Sequence, residues 1–183
     1  KIIREIVAFA NTKGGRLIDG VSDNLEIVGL RYADEDEFVL EKYIIKNIEP
    51  ELKYKLQKVN IENSRQVLVY EIPESVTKPH FVVMPATENK AYIRVADKSI
   101  QASKEMRNIL KSRSHSPKFI FGDKEKILME YLDINLEITI ERFSEIANIT
   151  KKLASRTLVL MVQMGVLEIL PQENFDRYKV KKI

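Results

Sequence analysis

Helix-boundary residues crowd the last third of the chain and leave it few ways to fold. Asp123, Thr139 and Thr150 each precede an apolar-periodic stretch, where a side-chain oxygen can satisfy the free N–H groups of a starting helix. The first stretch carries Ile127, Leu128, Tyr131 and Leu132, and the second Ile140, Phe143, Ile146 and Ala147. The third runs from Lys151 to about Met164 and meets Gly165, the residue type that closes helices in the left-handed conformation. Val166–Leu170 and Arg177–Ile183 then read as strands joined by residues 171–176. Asn148 and Ile149 leave room only for a tight turn between the second and third helices.

Helix, helix, helix, hairpin over residues 118–183 is the order of a winged helix-turn-helix, the module of bacterial DNA-binding regulators. Its third helix is the expected recognition helix. Lys151, Lys152, Ser155 and Arg156 occupy the first turns, where such helices meet bases and phosphates. Arg177, Lys179 and Lys181 alternate with Tyr178 and Val180, which gives the last strand one basic edge. Against this, Leu158–Val162 is apolar around the whole helix. Val159 and Leu160 are therefore expected to pack against the first domain or a second subunit. Duplex DNA and a protein partner both remain open as what this module binds.

Bulk charge does not choose between them. The chain of 183 residues carries +3 overall, and residues 118–183 hold 11 basic against 10 acidic side chains. A nucleic-acid binder with this balance must gather its cations on one face. No apolar run approaches the ~20 residues that cross a bilayer, and no signal-peptide pattern is seen. The absence of cysteine excludes disulfides and Cys-ligated zinc, and two histidines cannot build a His-rich metal centre. A cytoplasmic protein without metal or other cofactor is the expectation. The chain does not open with Met, so residues before Lys1 are expected.

Upstream the pattern mixes helices and strands. Lys1–Ala10 is predicted helical and is stopped by Asn11–Gly15; Arg16–Val21 and Leu25–Leu30 read as a hairpin around Ser22–Asn24. Ala33–Glu49 reads as a helix with acids Asp34–Glu37 at its positive end. Its expected apolar stripe is Phe38, Tyr43, Ile44, Ile45 and Ile48. Leu52, Tyr54 and Leu56 alternate as a half-exposed strand, and a phase flip before Val59 predicts a bulge near Lys58. Val67–Ile72 and Ala91–Val95 are further strands, and Ser103 caps a helix ending at Arg113. Residues 112–117 form a polar linker, and the domain boundary is expected there.

The run Ala8–Gly15 (AFANTKGG), then Gly20–Asp23 (GVSD) and Ile27–Leu30 (IVGL), resembles the Schlafen AlbA_2 family. Lys78-Pro79-His80 and Tyr92–Val95 leading to Ala102-Ser103 extend the resemblance across roughly residues 1–113. The resemblance implies a nucleic-acid-binding domain, often followed in bacteria by a helical region in proteins classed as transcriptional regulators. Asp19 departs from the aliphatic residue usual at its position. In ribonuclease-active relatives, two glutamates upstream of the AFANT helix join an aspartate matching Asp23. Such a carboxylate trio could hold a divalent metal and activate water. This chain begins after the region that would supply the glutamates.

Individual residues carry paired readings. Asn11, Thr12, Lys13, Gly14 and Gly15 could present N–H groups to a phosphate, or could simply let helix and strand meet. The spacing is not that of a Walker A loop, so ATP is not expected. Asp23 is either a metal ligand or general base, or an ordinary turn residue. Arg94 contacts phosphate or pairs with a carboxylate, and His80 reads as a structural or an exposed loop residue rather than a catalyst. Together these give an α+β protein with an AlbA_2-like domain at 1–113 and a winged helix-turn-helix at 118–183. The expected function is transcriptional regulation by a dimer on duplex DNA, with no catalytic residue and no membrane contact. Nucleic-acid cleavage and non-catalytic protein interaction are the alternatives.

Overall fold

The stretches whose apolar spacing was strongest became the regular elements of a mixed α+β structure. The computed structural model describes residues 1–62, 64–111 and 120–182, so the proposed linker at 112–117 lies outside the described residues. The chain forms two compact units, Lys1–Gln101 and Ala102–Ile183.

In the first unit, α1 (Ile2–Asn11) buries Ile6, Val7, Ala8 and Ala10. Strands β1 (Gly15–Asp19), β3 (Lys55–Asn60) and β4 (Gln66–Ile72) form an antiparallel sheet in the order β1-β4-β3. Leu68, Tyr70 and Ile72 alternate inward from β4 and meet α1 together with Leu40 and Ile44 of α2 (Ala33–Asn47). Each such aliphatic side chain contributes about 1.5–3 kcal/mol on leaving water. Two small ribbons complete the unit: β2 (Ile48–Glu49) with β5 (Phe81–Val82), and β6 (Tyr92–Val95) with β7 (Lys98–Gln101).

Several local expectations shift. Leu25–Leu30 is not a strand; only the single bridges Val21 to Ile27 and Leu30 to Gln66 form. Gly20, at φ +100°, turns the chain, and its carbonyl accepts both the Val28 and Gly29 N–H groups. Asp19, the departure from the family pattern, accepts the Gly20 N–H through its carboxylate at 2.9 Å and so serves that turn. The α2 stripe also differs. Ala33, Leu40 and Ile44 are its buried residues, whereas Phe38, Tyr43 and Ile45 are exposed. No bulge interrupts β3, which pairs residue by residue from Lys55–Glu71 to Asn60–Gln66. Lys58 sits on the side of β3 that carries Leu56, reaching Asp34 and Glu37 of α2 at 2.5 Å, so Val59 faces outward. A lysine held by two acids kept the phase that apolar counting alone would break.

The second unit contains α3 (Lys104–Lys111), α4 (Asp123–Ile134), α5 (Ile140–Ile146), α6 (Lys151–Gln163) and the hairpin β8 (Leu167–Leu170) with β9 (Arg177–Val180). The cap positions behave as their chemistry requires. Thr139 and Thr150 accept N–H groups from Arg142 and Leu153, and Gly165 takes φ +75° after α6. At α4 the capping residue is Gly122 rather than Asp123, and its N–H is held by the buried Glu125 carboxylate at 3.0 Å. Leu128, Phe143, Ala154, Leu158, Met161 and Tyr178 form the core. Ile138 exchanges two backbone hydrogen bonds with Tyr178, which adds a third extended segment beside the hairpin. Helix α3, grouped with the first domain on sequence, packs along α6 in this second unit. The Ser103 cap marks where this helix starts, not what it packs against.

Candidate nucleic-acid interface

The AFANT segment in the first unit proves to be internal wiring. Asn11 is buried; its Nδ2 donates to the His80 and Tyr92 carbonyls at 2.9 Å, and its Oδ1 accepts the His80 N–H at 2.7 Å. Thr12 Oγ1 donates to the Ala8 carbonyl and accepts the Arg94 N–H. The Thr12 and Gly14 amides both donate to the Phe9 carbonyl, so they are not offered to an anion. Close packing explains the glycine pair. A Cβ on Gly14, at φ +78°, would lie 2.7 Å from the Ile72 carbonyl oxygen, and one on Gly15 would lie 2.4 Å from the Phe9 ring. Arg94 reaches Glu5 at 2.6 Å, with Ser99 joined to the same carboxylate, and its guanidinium lies over Phe9. Of its two readings, the structure shows the carboxylate pair.

His80 is buried, with Nδ1 2.8 Å from the Pro50 carbonyl and Nε2 2.7 Å from Ser75 Oγ. A carbonyl can only accept, so Nδ1 carries the proton and the Ser75 hydroxyl donates to Nε2. Burial pushes the imidazole below the ordinary histidine range, Lys78 adds to that, and the Pro50 carbonyl opposes it. The folded protein therefore binds this proton less readily than the unfolded chain. Stability should be unaffected above the unfolded value of about 6.5 and should fall as pH drops below it. Urea midpoints taken from about pH 7.5 to about pH 5 should decline less steeply in His80→Gln than in the parent; equal slopes would refute the assignment.

What remains open to a ligand on this unit is a set of cations of which sequence reading named only Lys13. A groove of about 430 Å³ is lined by Lys13, Gly14, Arg16, Lys53 and Lys55, with Glu71 the acid among them. Sheet order brings them together, because Gly15 and Lys55 oppose neighbouring residues, Ile72 and Glu71, at one end of β4. Arg16 makes a loose 3.8 Å pair with Glu71, while Lys13, Lys53 and Lys55 make no ion pair among the described residues. Asp23 is exposed in a tight turn, where the Ser22 carbonyl accepts the Leu25 N–H. No trio of His, Asp or Glu among the described residues is placed to hold a metal ion.

In the second unit, Lys151, Lys152 and Arg156 are exposed on the first turns of α6. Lys151 is 3.4 Å from Glu141, whereas Lys152 and Arg156 have no ionic partner among the described residues. With Lys104 of α3 they border a groove of about 690 Å³. The hairpin contributes less than its sequence implied. Arg177 is paired with Glu137 at 3.0 Å and Lys179 with Glu168 at 2.8 Å, leaving Lys181 exposed and unpaired among the described residues. Ser155 donates to Glu105 of α3 at 2.6 Å. Val159 is 7% exposed within the single chain, and it lines the same groove beside half-buried Leu160. The helix that covers them is the one assigned on sequence to the first domain, so Val159 needs no second subunit to leave water.

No described helix is long and apolar enough to cross a membrane. None of the curated proteins matches the chain. Among solved structures, the crystal structure of the DIP2311 protein from Corynebacterium diphtheriae is similar at 19% identity with a TM-score of 0.40. The likeness covers 61% of this chain and 19% of that one, so the chain spans a small part of that protein's length. The family described as Schlafen, AlbA_2 matches residues 1–103. That match covers more than half of the sequence, and the chain belongs to the Schlafen AlbA_2 family.

Proposed function

We propose that this chain is the DNA-binding part of a transcriptional regulator, and that its second unit is a winged helix-turn-helix. One observation carries the reading: Lys151, Lys152 and Arg156 stand exposed on the opening turns of α6, and two of them have no acid to neutralise them among the described residues. That is where a recognition helix meets phosphates and base edges. Family membership agrees, since the AlbA_2 resemblance implies a nucleic-acid-binding domain. The Lys13, Arg16, Lys53 and Lys55 groove would add backbone contacts that carry no sequence information. Two copies on a symmetric operator, in a bacterial cytoplasm, complete the proposal.

Lys152→Ala and Arg156→Ala should each weaken binding to a duplex by about 5- to 100-fold at fixed salt, with at least one of them relaxing sequence preference. Unchanged affinity in both variants, measured by fluorescence anisotropy, would refute the reading. The observation that favours a protein-interaction role instead is that α3 already lies on the outer face of α6.

A further inference from the structure

The buried and outer faces of α6 separate cleanly. Ala154, Leu158 and Met161 point into the core, while Lys152, Ser155, Arg156 and Val159 share the opposite side. The second set is the side a recognition helix would push into the major groove. Helix α3 runs along it. Glu105 places a carboxylate oxygen 2.6 Å from the Ser155 hydroxyl, and one turn further on the Asn108 carbonyl accepts from Gln163 Nε2 at 3.3 Å. Glu105 shares the groove with Lys104, Lys151, Lys152 and Arg156. An oxygen anion held by a hydroxyl among cations is the arrangement a DNA phosphate would adopt.

The start of α3 is fixed separately. Ser103 caps it by accepting the Met106 N–H at 2.9 Å, and its hydroxyl donates to the buried Asp176 carboxylate. Asp176 precedes β9, so the cap is tied to the base of the hairpin, not to α6. Among the described residues, the hydrogen bonds given along α6 beyond that anchor are one charge-assisted bond from Ser155 and one side chain to carbonyl bond from Gln163, beside the groove that Val159 and Leu160 line. Such hydrogen bonds are of the kind a duplex could supply in their place.

We infer that α3 is an internal cover of the DNA-reading face, with Glu105 standing where a backbone phosphate would sit. The inference rests on the reading of α6 as the recognition helix. Duplex DNA must then displace α3, and apparent affinity is lowered by the fraction of molecules with α3 in place.

The absence of cysteine from the sequence permits a reversible test. In the full 183-residue chain, Asn108→Cys with Gln163→Cys places one thiol on each helix at the two residues joined by the Gln163 side chain and the Asn108 backbone carbonyl. Oxidation, followed by mass and with folding checked by circular dichroism, should lower affinity for a random-sequence duplex about tenfold or more, and reduction should restore it. Independently, Glu105→Gln should raise affinity more than Glu130→Gln, which removes one exposed acid from α4 and so reports the bare charge effect. Equal affinity in the oxidised and reduced forms would overturn the cover while leaving DNA binding intact. If the pair does not oxidise, the Glu105 comparison decides: an affinity raised no more in Glu105→Gln than in Glu130→Gln would overturn the cover. Absence of duplex binding in both redox forms and in Glu105→Gln would remove the DNA reading itself, and the cover with it.

Discussion

Asn11→Ala is expected to destabilise the first unit by about 3–5 kcal/mol, without any ligand present. Three buried backbone groups depend on that one amide: the His80 N–H, the His80 carbonyl and the Tyr92 carbonyl. A buried polar group stripped of its partner costs about 1–3 kcal/mol, and alanine supplies no replacement atom for any of the three. Total stabilities of about 5–15 kcal/mol make this a large fraction of the whole. Neighbouring Lys13 is exposed, and Lys13→Ala should change stability by less than about 0.5 kcal/mol. Urea unfolding of the two variants separates the readings of this segment. A structural Asn11 predicts a fallen midpoint, whereas a ligand contact predicts an unchanged one. A loss below about 1 kcal/mol would contradict the account.

The second large effect falls on α6. Leu158 is fully buried in the core of the second unit, beside Phe143 and Met161. Leu158→Ala should cost about 2.7–5 kcal/mol, since the deleted methyl groups leave a cavity that a tightly packed core closes only in part. Leu160, half-buried on the α3 side, should cost about 1 kcal/mol when cut to alanine. On sequence the two leucines belong to one apolar run, and thermal unfolding of the two variants tells them apart. Equal losses would mean that α6 is buried on both sides alike, which would leave no face for DNA.

Elements defined by local chemistry were legible. Thr139, Thr150 and Gly165 announce helix ends because capping involves atoms within a few residues. Strand β4 was legible because a buried strand needs a run of apolar residues. The phase of β3 was not, because Lys58 takes the side of the strand that carries Leu56 and pairs there with Asp34 and Glu37, which are distant in the chain. The same limit governs the candidate sites. Lys151, Lys152 and Arg156 lie within two turns of one helix, so their clustering could be read directly. Arg16, Lys53 and Lys55 converge only through the order β1-β4-β3, and nothing in the spacing of residues 16 and 53 foretells it. Arg177 and Lys179 looked basic in isolation, but Glu137 and Glu168 neutralise them across strands and loops. Charge read along a chain overstates charge at a surface.

The central claim is that the cations on α6 serve sequence-specific duplex binding. The most direct measurement is selection of bound molecules from a random duplex pool by the 183-residue chain, at a stated salt concentration. Affinity for the enriched sequence should then be followed as salt is raised. The account predicts enrichment of a defined sequence, of inverted-repeat form if two copies bind, and an affinity that falls with salt with a slope of about −0.9 for each phosphate contacted. A pool that remains random after selection, with binding absent at low salt, would contradict it.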